Sequence, residues 1–444
     1  MEHCGRPGTE SGAFGRVIVS PSMPSACYTP NVQDRVPSWA FVIAALAVVV
    51  HLYFALFPLP AGAGPMKNTL GRDMASYYYA AQVAASDGDP YDVDALSAAA
   101  RADNTRDEVH PYFYPPPFLI AVAWVLPLEL EAAYRIGYWL DELFLIIAML
   151  ALWRWWMPLG RAVPIAIAVW AGLMFPISYG HVMGQVNGLV LALVISGLWM
   201  AESDRELPGG ALIGAACMFK MSPALFVGWW LLRGRRRAAA ASVGTAVALS
   251  IFALPLVDFP EQLRFYTEIL PAFGSGDYNG LLVKIGMFAN HSVPNVADQL
   301  IPGDGMRLSM GARVLSGGIA LGLLGAAGWL FRGKATEEQI AAQVAAVCLI
   351  ALLIPVYTYE HHLIFALPAM VIGSAMAWRG AFPSWAGAGI AAASMILCLP
   401  HQPLKPFAKN ALGDPLGLVV QEAKFAAMVV LLAAMFRLAT KARK

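Results

Sequence analysis

Residues 39–57, WAFVIAALAVVVHLYFALF, decide the fold class of this chain. The stretch contains no Asp, Glu, Lys or Arg, and a helix rising about 1.5 Å per residue would make it about 28 Å long. That length is close to the roughly 30 Å hydrocarbon core of a bilayer. Residues 314–331 and 343–358 are similarly apolar. The sequence therefore predicts several membrane-spanning helices.

The composition of the chain supports the same class. Hydrophobic residues make up 58% of the 444 residues and charged residues only 13%, against about 25% charged residues in soluble domains. From the apolar segments we expect an all-α, polytopic membrane protein of roughly 10 to 12 transmembrane helices. The net charge is +1, and no basic stripe interleaves with exposed aromatic residues. Nucleic acid is therefore not an expected partner, and membrane lipids are.

The two ends of the chain and its cysteines carry no predicted chemistry. Residues 1–38 are rich in Gly, Pro and Ser and are interpreted as a disordered tail, with Met23 as an alternative initiator. Residues 39–439 are the predicted membrane domain, and residues 440–444 a basic cytoplasmic tail. The cysteines include no C-x-x-C pair and so indicate no disulfide framework or zinc site: Cys4, Cys27, Cys217, Cys348 and Cys398.

A polar segment, residues 58–117, is predicted to be the main extracytoplasmic loop. It holds eight acidic and four basic residues. Residues 73–85 favour a helix suited to lying along the membrane interface, with Tyr77, Ala80, Ala81 and Ala84 on one face, and residues 93–101 a second short helix. The aspartates around residues 87–90 (DGDP) suggest calcium, but the twelve-position loop pattern is absent and a turn is expected. The loop is therefore predicted to be structured.

Basic residues at the ends of apolar segments predict the orientation, because Lys and Arg near helix ends stay in the cytoplasm. Four basic clusters fall on one side when the intervening segments are counted: residues 233–237, 332–334, 379 and 437–444. The extracytoplasmic side of this predicted plasma-membrane protein then receives the first loop and three later segments: residues 258–310, residues 360–362 and the loop at His401.

Between Pro117 and Leu232, it stays open which ends of the apolar segments face the cytoplasm. Arg154 and Arg161 indicate a cytoplasmic loop, whereas the short apolar segments there suggest half-helices or re-entrant pairs. The sequence does not decide between these alternatives.

Asp73, at the start of the first loop helix, is the candidate catalytic base. A carboxylate held just above the bilayer could accept the proton of an attacking sugar hydroxyl, and partial desolvation would raise its pKa toward that use. Asp is also among the preferred N-cap residues, and by position alone capping is the commoner role. Both readings are open at this point.

Side-chain amides between two apolar segments form the second candidate group. In Gly184-Gln185-Val186-Asn187, preceded by His181, the amides could hydrogen-bond sugar hydroxyls without adding charge. The alternative is a polar helix start whose side chains satisfy free backbone donors.

Lys220 interrupts the apolar run of residues 210–232, and Pro223 breaks the helix behind it. An ammonium group at membrane depth needs an anion or a wet cavity, and a lipid phosphate is one such counter-ion. Alternatively, Lys220 reaches toward the interface or pairs with an acidic neighbour such as Asp141 or Glu142.

His361 and His362 follow residues 359–360 (YE) between two apolar segments. They could orient a phosphate or stabilise a leaving group. A metal is not expected, because adjacent residues on a helix face different directions and no carboxylate at ligand spacing is visible. Residues 290–292 (NHS) are a weaker addition, and a solvated loop is their default interpretation.

Taken in order, these motifs resemble glycosyltransferase family 87, within the C-type membrane glycosyltransferases. The resemblance extends from about Trp39 to Ala439. It is carried by several short motifs: Asp73 with residues 77–81, residues 88–91, Tyr114-Pro115-Pro116, residues 184–187, residues 220–223 before a basic stop, and His361-His362.

This resemblance implies an enzyme that moves a hexose, typically mannose, from a polyprenyl-phosphate-linked donor to a lipid or glycan acceptor outside the cytoplasm. No cofactor, nucleotide sugar or obligatory metal is implied, and a single displacement would invert the anomeric centre. Asp73 would be the catalytic base. Lys220 and the two histidines would face the donor phosphate, to which His110 and Arg72 could contribute. The implied substrate-binding residues are Arg72, Tyr77, Gln185, Asn187, Lys220, His361 and His362.

A transporter or flippase of lipid-linked sugars is the competing hypothesis, since it also has many helices and polar groups at membrane depth. It predicts internal repeats with broken helices at matching positions in two halves. The first loop has no counterpart in the second half of the sequence, which argues against such repeats. A non-catalytic membrane subunit is a third hypothesis, favoured if Asp73 can be replaced without loss.

Overall fold

The computed structural model describes residues 36–57, 71–278, 281–282, 284–303, 307–401, 403 and 413–440. Most of the predicted N-terminal tail, with Cys4, Met23 and Cys27, lies outside the described residues. Residues 58–70 of the predicted first loop and residues 441–444 of the basic tail lie outside them too.

The described residues are almost entirely helical. In chain order the α-helices are α1 Ser38–Leu56, α2 Arg72–Ala85, α3 Val93–Ala102, α4 Phe118–Val122, α5 Leu130–Trp156, α6 Ala162–Leu173, α7 Phe175–Met183, α8 Asn187–Glu202, α9 Glu206–Phe219, α10 Ala224–Leu232, α11 Arg236–Phe252, α12 Phe259–Arg264, α13 Leu270–Phe273, α14 Val293–Leu300, α15 Met310–Leu330, α16 Glu337–Leu353, α17 Leu367–Trp378, α18 Ser384–Cys398, α19 Gly413–Gln421 and α20 Ala423–Thr440.

Short irregular elements complete the chain. There are 3₁₀ turns at Ala123–Val125, Met157–Leu159 and Glu360–Ala366, and a π turn at Phe265–Ile269. A minimal antiparallel hairpin pairs β1 Asp277–Tyr278 with β2 Leu281–Leu282. The prediction of an all-α fold is confirmed.

Five described helices are long and apolar enough to cross a membrane: Ser38–Leu56, Leu130–Leu159, Met310–Leu330, Glu360–Trp378 and Ala423–Thr440. Helices α6 and α7 qualify together as a sixth, but they bend by 51° at the break between them. Three further apolar helices, α8, α9 and α18, are shorter. The polytopic membrane prediction is confirmed. Of the predicted 10 to 12 crossings, the described helices account for five or six by length and composition, and for nine if the three shorter apolar helices are counted. Polar residues between Pro117 and Leu232 divide the apolar segments there.

The helix termini sort into two ends of the bundle. At one end, the Arg379 guanidinium donates to the Leu159 carbonyl at 3.0 Å and to Glu338 at 2.8 Å. At the other end, the first loop, Gln185 and Lys220 line one cavity. The chain therefore alternates between the ends from α5 to α11, with α7 and the start of α8 at the cavity end. The orientation of these helices relative to the cytoplasm stays a prediction.

The first loop packs as a small aromatic core at the cavity end. Helix α2 confirms the predicted helix and begins at Arg72. The four residues of its predicted face are buried, but burial is not confined to that face, since every residue from Met74 to Ala81 is buried. The reason is that α2 packs against α3, α4, α5 and α7 at once. Aromatic side chains of the loop pack together with one from α4 and one from the π turn after α12: Tyr77, Tyr91 and Tyr112 with Phe118 and Phe265.

The acidic turn after α2 is a structural turn, as predicted. The Asp92 carboxylate caps α3 by accepting from the backbone N–H groups of Asp94 at 2.9 Å and Ala95 at 3.2 Å. Asp89 pairs with Arg264 at 2.5 Å, which ties the first loop to α12. These aspartates hold the loop in place.

Candidate active site

A cavity of about 2190 Å³ opens at the end of the bundle that carries the first loop. Single small-molecule sites are usually about 300–1000 Å³, so this cavity has room for two substrates. Every residue predicted as catalytic or substrate-binding lines it except Asn187: Arg72, Asp73, Tyr77, Gln185, Lys220, His361 and His362. The tertiary structure thus brings together residues that are up to 290 positions apart in sequence.

Asp73 is not the N-cap of its helix. That position is held by Gly71, whose φ of 61° is left-handed and which makes no side-chain capping bond. Asp73 sits in the first turn, and its Oδ2 accepts a hydrogen bond from Gln185 Nε2 at 2.5 Å. The capping interpretation is therefore wrong.

The carboxylate of Asp73 lies in a mixed electrostatic environment. Burial raises its pKa, and the Gln185 hydrogen bond together with the charges of Arg72, Lys220 and Arg106 opposes that rise. A carboxyl group whose pKa is raised toward neutrality, yet which stays near cations, is suited to accept a proton.

Gln185 connects Asp73 to Lys220. Its Oε1 accepts from Lys220 Nζ at 3.1 Å, from Tyr114 Oη at 3.1 Å and from Tyr77 Oη at 3.4 Å. With the oxygen so engaged, Nε2 is directed at the Asp73 carboxylate. The Gln185 amide is thus fixed in one orientation between the Asp73 carboxylate and the Lys220 ammonium.

The backbone around Gln185 is shaped by close packing against α2. Gly184 ends α7 with φ of 74°, and a Cβ there would lie 2.6 Å from the Cβ of Met74. The Gly71 N–H also donates to the Val182 carbonyl at 2.8 Å. The end of α7 and the start of α2 are therefore locked together, which sets the distance between Gln185 and Asp73.

The two amides do not act as local helix starts. Val186 is the N-cap of α8 and makes no side-chain capping bond. Instead, Asn187 Nδ2 donates to the His361 carbonyl at 2.9 Å, and a free α8 donor, the Leu189 N–H, is satisfied by Asp141 Oδ1 at 3.1 Å. The interpretation of a self-capping polar helix start is wrong, because a neighbouring helix supplies the cap.

Lys220 follows the last residue of α9, with its ammonium held by neutral oxygens. Nζ donates to Asn187 Oδ1 at 2.5 Å as well as to Gln185, and it lies 5.8 Å from the centre of the Tyr114 ring. The alternative pairing with Asp141 or Glu142 is not observed. Those carboxylates engage two histidines in the described residues, Glu142 with His51 at 2.8 Å and Asp141 with His181 at 3.4 Å.

His361 and His362 form a directional hydrogen-bonded pair. The Tyr359 N–H donates to His362 Nδ1 at 3.1 Å, so neutral His362 carries its proton on Nε2 and donates it to His361 Nε2, also at 3.1 Å. His361 then carries its proton on Nδ1, a buried atom without a hydrogen-bond partner among the described residues. In the part of the chain that is described, no group of three or more His, Cys, Asp or Glu is arranged to hold a metal ion.

A second buried network lies directly beside the histidine pair. Glu360 pairs with Lys424, and His291 and His401 each lie 3.2 Å from its other carboxylate oxygen. Residues 290–292 are fully buried, so their default interpretation as a solvated loop is wrong. Lys424 was missed, although a lysine in an apolar helix is a signal that could have found it.

Three further residues of the cavity wall were not predicted as site residues. Tyr114 hydrogen-bonds Gln185 and Tyr77, the latter at 2.6 Å, and Tyr179 stacks near His361 with ring centres 6.2 Å apart. Arg106 lines the same cavity. Tyr114 belongs to the motif Tyr114-Pro115-Pro116, which marked the segment but not the role of its tyrosine. Tyr179 inside helix α7 and Arg106 in the first loop stand in no pattern that would have marked them in the sequence.

Comparison with known proteins gives a consistent set of relatives. A polyprenol-phosphate-mannose-dependent alpha-(1-2)-phosphatidylinositol mannoside mannosyltransferase of Mycolicibacterium smegmatis is 24% identical over 294 residues, or 61% of this chain and 63% of the relative. The protein of the same description from Mycobacterium tuberculosis is 24% identical over 207 residues, 46% of this chain and 44% of the relative.

A third relative, also from Mycobacterium tuberculosis, is described as a polyprenol-phosphate-mannose-dependent alpha-(1-2)-phosphatidylinositol pentamannoside mannosyltransferase. It is 27% identical over 286 residues, 61% of this chain and 60% of the relative. The chain thus spans less than two thirds of the length of each of these three relatives. The model of glycosyltransferase family 87 matches residues 112–355. Because that match covers more than half of the 444 residues, this chain belongs to glycosyltransferase family 87.

Proposed function

We propose that this chain is a membrane mannosyltransferase that takes mannose from a polyprenyl-phosphate donor and passes it to a lipid or glycan acceptor. The observation that carries the proposal is the chain of contacts Asp73–Gln185–Lys220 on the wall of a two-substrate cavity. It holds a proton acceptor and a cation a few ångströms apart, joined by one amide. Membership of the family and the names of the relatives support the donor class.

The proposed reaction is a single displacement with inversion. An acceptor hydroxyl oxygen bonds to the anomeric carbon of the donor while its proton passes to Asp73. Oδ2 of Asp73 is occupied by Gln185, so Oδ1 takes the proton. The bond from the anomeric carbon to the phosphate oxygen breaks, and its electron pair leaves with the polyprenyl phosphate.

Lys220 and the histidine pair are the proposed binding groups for that phosphate. The Lys220 ammonium is held only by neutral oxygens in the described residues, so its charge is available to an anion. The His361 Nδ1–H is a donor in the same wall. Both would interact more strongly with the departing dianion than with the phosphodiester, which lowers the barrier for leaving.

We place the cavity on the extracytoplasmic face of the plasma membrane. Arg233, Arg332 and Arg379 follow the C-terminal ends of α10, α15 and α17 and do not line the cavity. Lys and Arg accumulate on the cytoplasmic side of membrane proteins. Donor and acceptor would then both reach the cavity from the outer leaflet.

The direct test uses purified full-length protein in lipid, with radiolabelled polyprenyl-phosphate mannose and a membrane lipid extract. Wild type is expected to form a labelled lipid or glycan product, and Asp73→Asn, which keeps the size and the Gln185 contact, is expected to lose at least about 10²-fold in rate. The unfolding temperature of the variant should match that of wild type.

Two outcomes would redirect the proposal. Equal transfer by Asp73→Asn would remove Asp73 as the base. Movement of the labelled donor across the bilayer of proteoliposomes, without any transfer to an acceptor, would favour the flippase hypothesis.

A further inference from the structure

A buried group of ionisable side chains lies behind the active site, and the proposed chemistry does not use it. Asp141 and Glu142 follow one another in α5, His181 is in α7 and His51 is in α1. All four lie outside the set of described residues that line the cavity, and all but His51 are less than a tenth exposed. Ionisable groups at membrane depth are costly and usually have a specific partner. The partners of this group therefore indicate what it does.

Direct contacts join the four side chains in a row. His51 Nε2 lies 2.8 Å from Glu142 Oε1. The other Glu142 oxygen lies 3.6 Å from His181 Nε2, which in turn lies 3.4 Å from Asp141 Oδ2. The row ends at a backbone group, because Asp141 Oδ1 accepts a hydrogen bond from the Leu189 N–H at 3.1 Å. It thus runs from α1 through α5 and α7 to the first turn of α8.

The start of α8 packs directly on α5 at Asp141. A Cβ at Gly188 would lie 2.4 Å from the Asp141 carbonyl oxygen and 2.9 Å from Oδ1, so a larger residue would displace the helix. The Leu189 N–H is one of the donors that a helix start leaves without an intrahelical partner. A carboxylate at that position is favourable. Close packing and this hydrogen bond together fix where α8 begins.

The end of α7 is held by α5 as well. The His181 ring contacts Asp141, and its centre lies 4.9 Å from the centre of the Tyr138 ring. The His181 carbonyl accepts from Tyr134 Oη at 3.3 Å, and the Gly184 N–H donates to the same carbonyl at 3.0 Å. Helix α5 therefore contacts the last turn of α7 and the first turn of α8 at once.

The amides that organise the active site lie between these two turns. Gln185 follows α7 and contacts Asp73 and Lys220. Asn187 is the first residue of α8 and contacts Lys220 and the His361 carbonyl. A shift of either turn would change the separation of the proton acceptor and the cation. A misplacement of about 1 Å can cost about 10²-fold in rate, even when its cause lies far from the chemistry.

We propose that Asp141, braced by His181, is a positioning residue: it holds residues 185–187 in place and so sets the distance between Asp73 and Lys220. The inference rests on the proposed function. Asp141 touches no reacting atom in this arrangement and acts through the two amides. Its neighbour Glu142 faces the other way along the row, toward α1.

The test compares variants of full-length protein in lipid. Asp141→Leu removes both carboxylate oxygens and keeps a branched side chain of the same length, whereas Asp141→Asn keeps one oxygen for the Leu189 N–H. Gly188→Ala pushes α8 away from α5 without changing a charge. His51→Leu cuts the row at its far end and leaves the Glu142 carboxylate without its partner, so it controls for lost stability.

A surface variant on the same helix is the second control. Arg135 lies on α5, is exposed, pairs with Glu131 and lies outside the cavity. Arg135→Gln therefore removes a charge from α5 without touching the buried row.

Hydrogen exchange measures the positioning without requiring turnover. The peptide covering residues 184–192 is expected to exchange at least about tenfold faster in Asp141→Leu and in Gly188→Ala, because the first turn of α8 loses its anchor. Asp141→Asn should stay within about threefold of wild type, since it keeps the acceptor. Arg135→Gln and His51→Leu should match wild type in this peptide.

The acid limb of kcat measures the consequence for Asp73. The Gln185 hydrogen bond opposes the rise that burial causes in the pKa of Asp73, so a displaced Gln185 leaves that pKa higher. A base acts when deprotonated, and the limb therefore moves to higher pH in Asp141→Leu, with kcat at least about tenfold lower. The other charged groups that act on Asp73 are the same in every variant: Arg72, Arg106 and Lys220.

A double variant separates positioning from general damage. Gln185→Met already lacks the hydrogen bond to Asp73, so adding Asp141→Leu should leave the acid limb where Gln185→Met puts it. His51→Leu should lower the unfolding temperature and leave the limb where wild type has it.

Three results would overturn the inference. Unchanged exchange of residues 184–192 in both Asp141→Leu and Gly188→Ala would show that α5 does not hold this segment. An acid limb that moves equally far when Asp141→Leu is added to Gln185→Met would show that Asp141 does not act through that amide. An equal shift in His51→Leu would assign the effect to lost stability. Absence of mannosyl transfer by wild type would refute the proposed function instead, and the exchange experiment would still decide whether Asp141 holds the segment.

Discussion

Two lysines, Lys220 and Lys424, lie in otherwise apolar parts of this molecule, and the partners of their ammonium groups differ in charge. The ammonium of Lys424 pairs with the Glu360 carboxylate and donates to the Leu399 carbonyl at 2.5 Å. The ammonium of Lys220 meets two neutral amide oxygens and an aromatic ring. Lys424 is thus matched in charge within the protein, while Lys220 is not.

The difference distinguishes a structural cation from a binding cation. A buried ion pair with additional hydrogen bonds holds elements together, and removing one partner leaves an uncompensated charge. An ammonium that faces a cavity with only neutral acceptors keeps its attraction for an anion. We therefore propose that Lys424 holds the Glu360–Ala366 turn in place and that Lys220 binds phosphate.

The largest expected effect is on stability, at Lys424. Lys424→Met leaves the buried Glu360 carboxylate without its cation and should destabilise the fold by about 3–5 kcal/mol. Thermal unfolding in detergent measures the change. The double variant Lys424→Met/Glu360→Gln should recover much of the loss, since no charge is then left buried. A stable Lys424→Met protein would mean that the ion pair is not what fixes this turn.

The next effect is on activity, at Lys220. Lys220→Met should lower kcat by about 10²–10³-fold, the range seen when one group that stabilises developing negative charge is removed. The unfolding temperature should change little, because no carboxylate loses a partner. A loss of stability as large as that of Lys424→Met, or undiminished transfer, would erase the distinction between the two lysines.

The smallest effect concerns the pH dependence of transfer. Burial raises the pKa of Asp73, and the charge of Arg72 lowers it, so Arg72→Gln should raise that pKa further. A general base works when deprotonated, so the rate falls as pH drops through the pKa. The acid limb of kcat at saturating acceptor should therefore move to higher pH, by less than about one unit because Arg72 is only half-buried and solvent screens its charge.

High salt and the surface variant Arg135→Gln are the controls for this shift in the acid limb of kcat. High ionic strength should shrink the difference between wild type and Arg72→Gln, since it screens the charge of Arg72. Arg135→Gln should leave the acid limb in place. Movement of the limb to lower pH in Arg72→Gln would contradict a stabilising interaction between Arg72 and the Asp73 carboxylate.

The sequence predicted the parts of the site that are unusual in their local context. Lys220 and the amides at Gln185 and Asn187 stand out because polar groups are rare in apolar segments, and all three are in the observed network. Helix α2 and its acidic turn were also predictable from local propensity and turn chemistry. The catalytic and binding roles themselves remain predictions.

The errors all concern what those residues contact. Asp73 could have been the N-cap, yet Gly71 takes that position, where the left-handed φ of 61° and a Tyr134 ring 2.8 Å from the place of a Cβ favour glycine. The sequence predicts a solvated loop at residues 290–292, which are buried, because no local pattern indicates their contacts with Val356, Thr358 and Glu360.

By itself, then, the sequence determined that this protein lies in a lipid bilayer and which polar residues are available for its site. Apolar length and the scarcity of charge require a bilayer, and a few polar residues at membrane depth require partners. Only the tertiary structure decided which partners they have. Lys424 meets a carboxylate and Lys220 meets two amides because helices that are distant in sequence pack side by side. The energy of each charge is set by the groups that lie within a few ångströms of it.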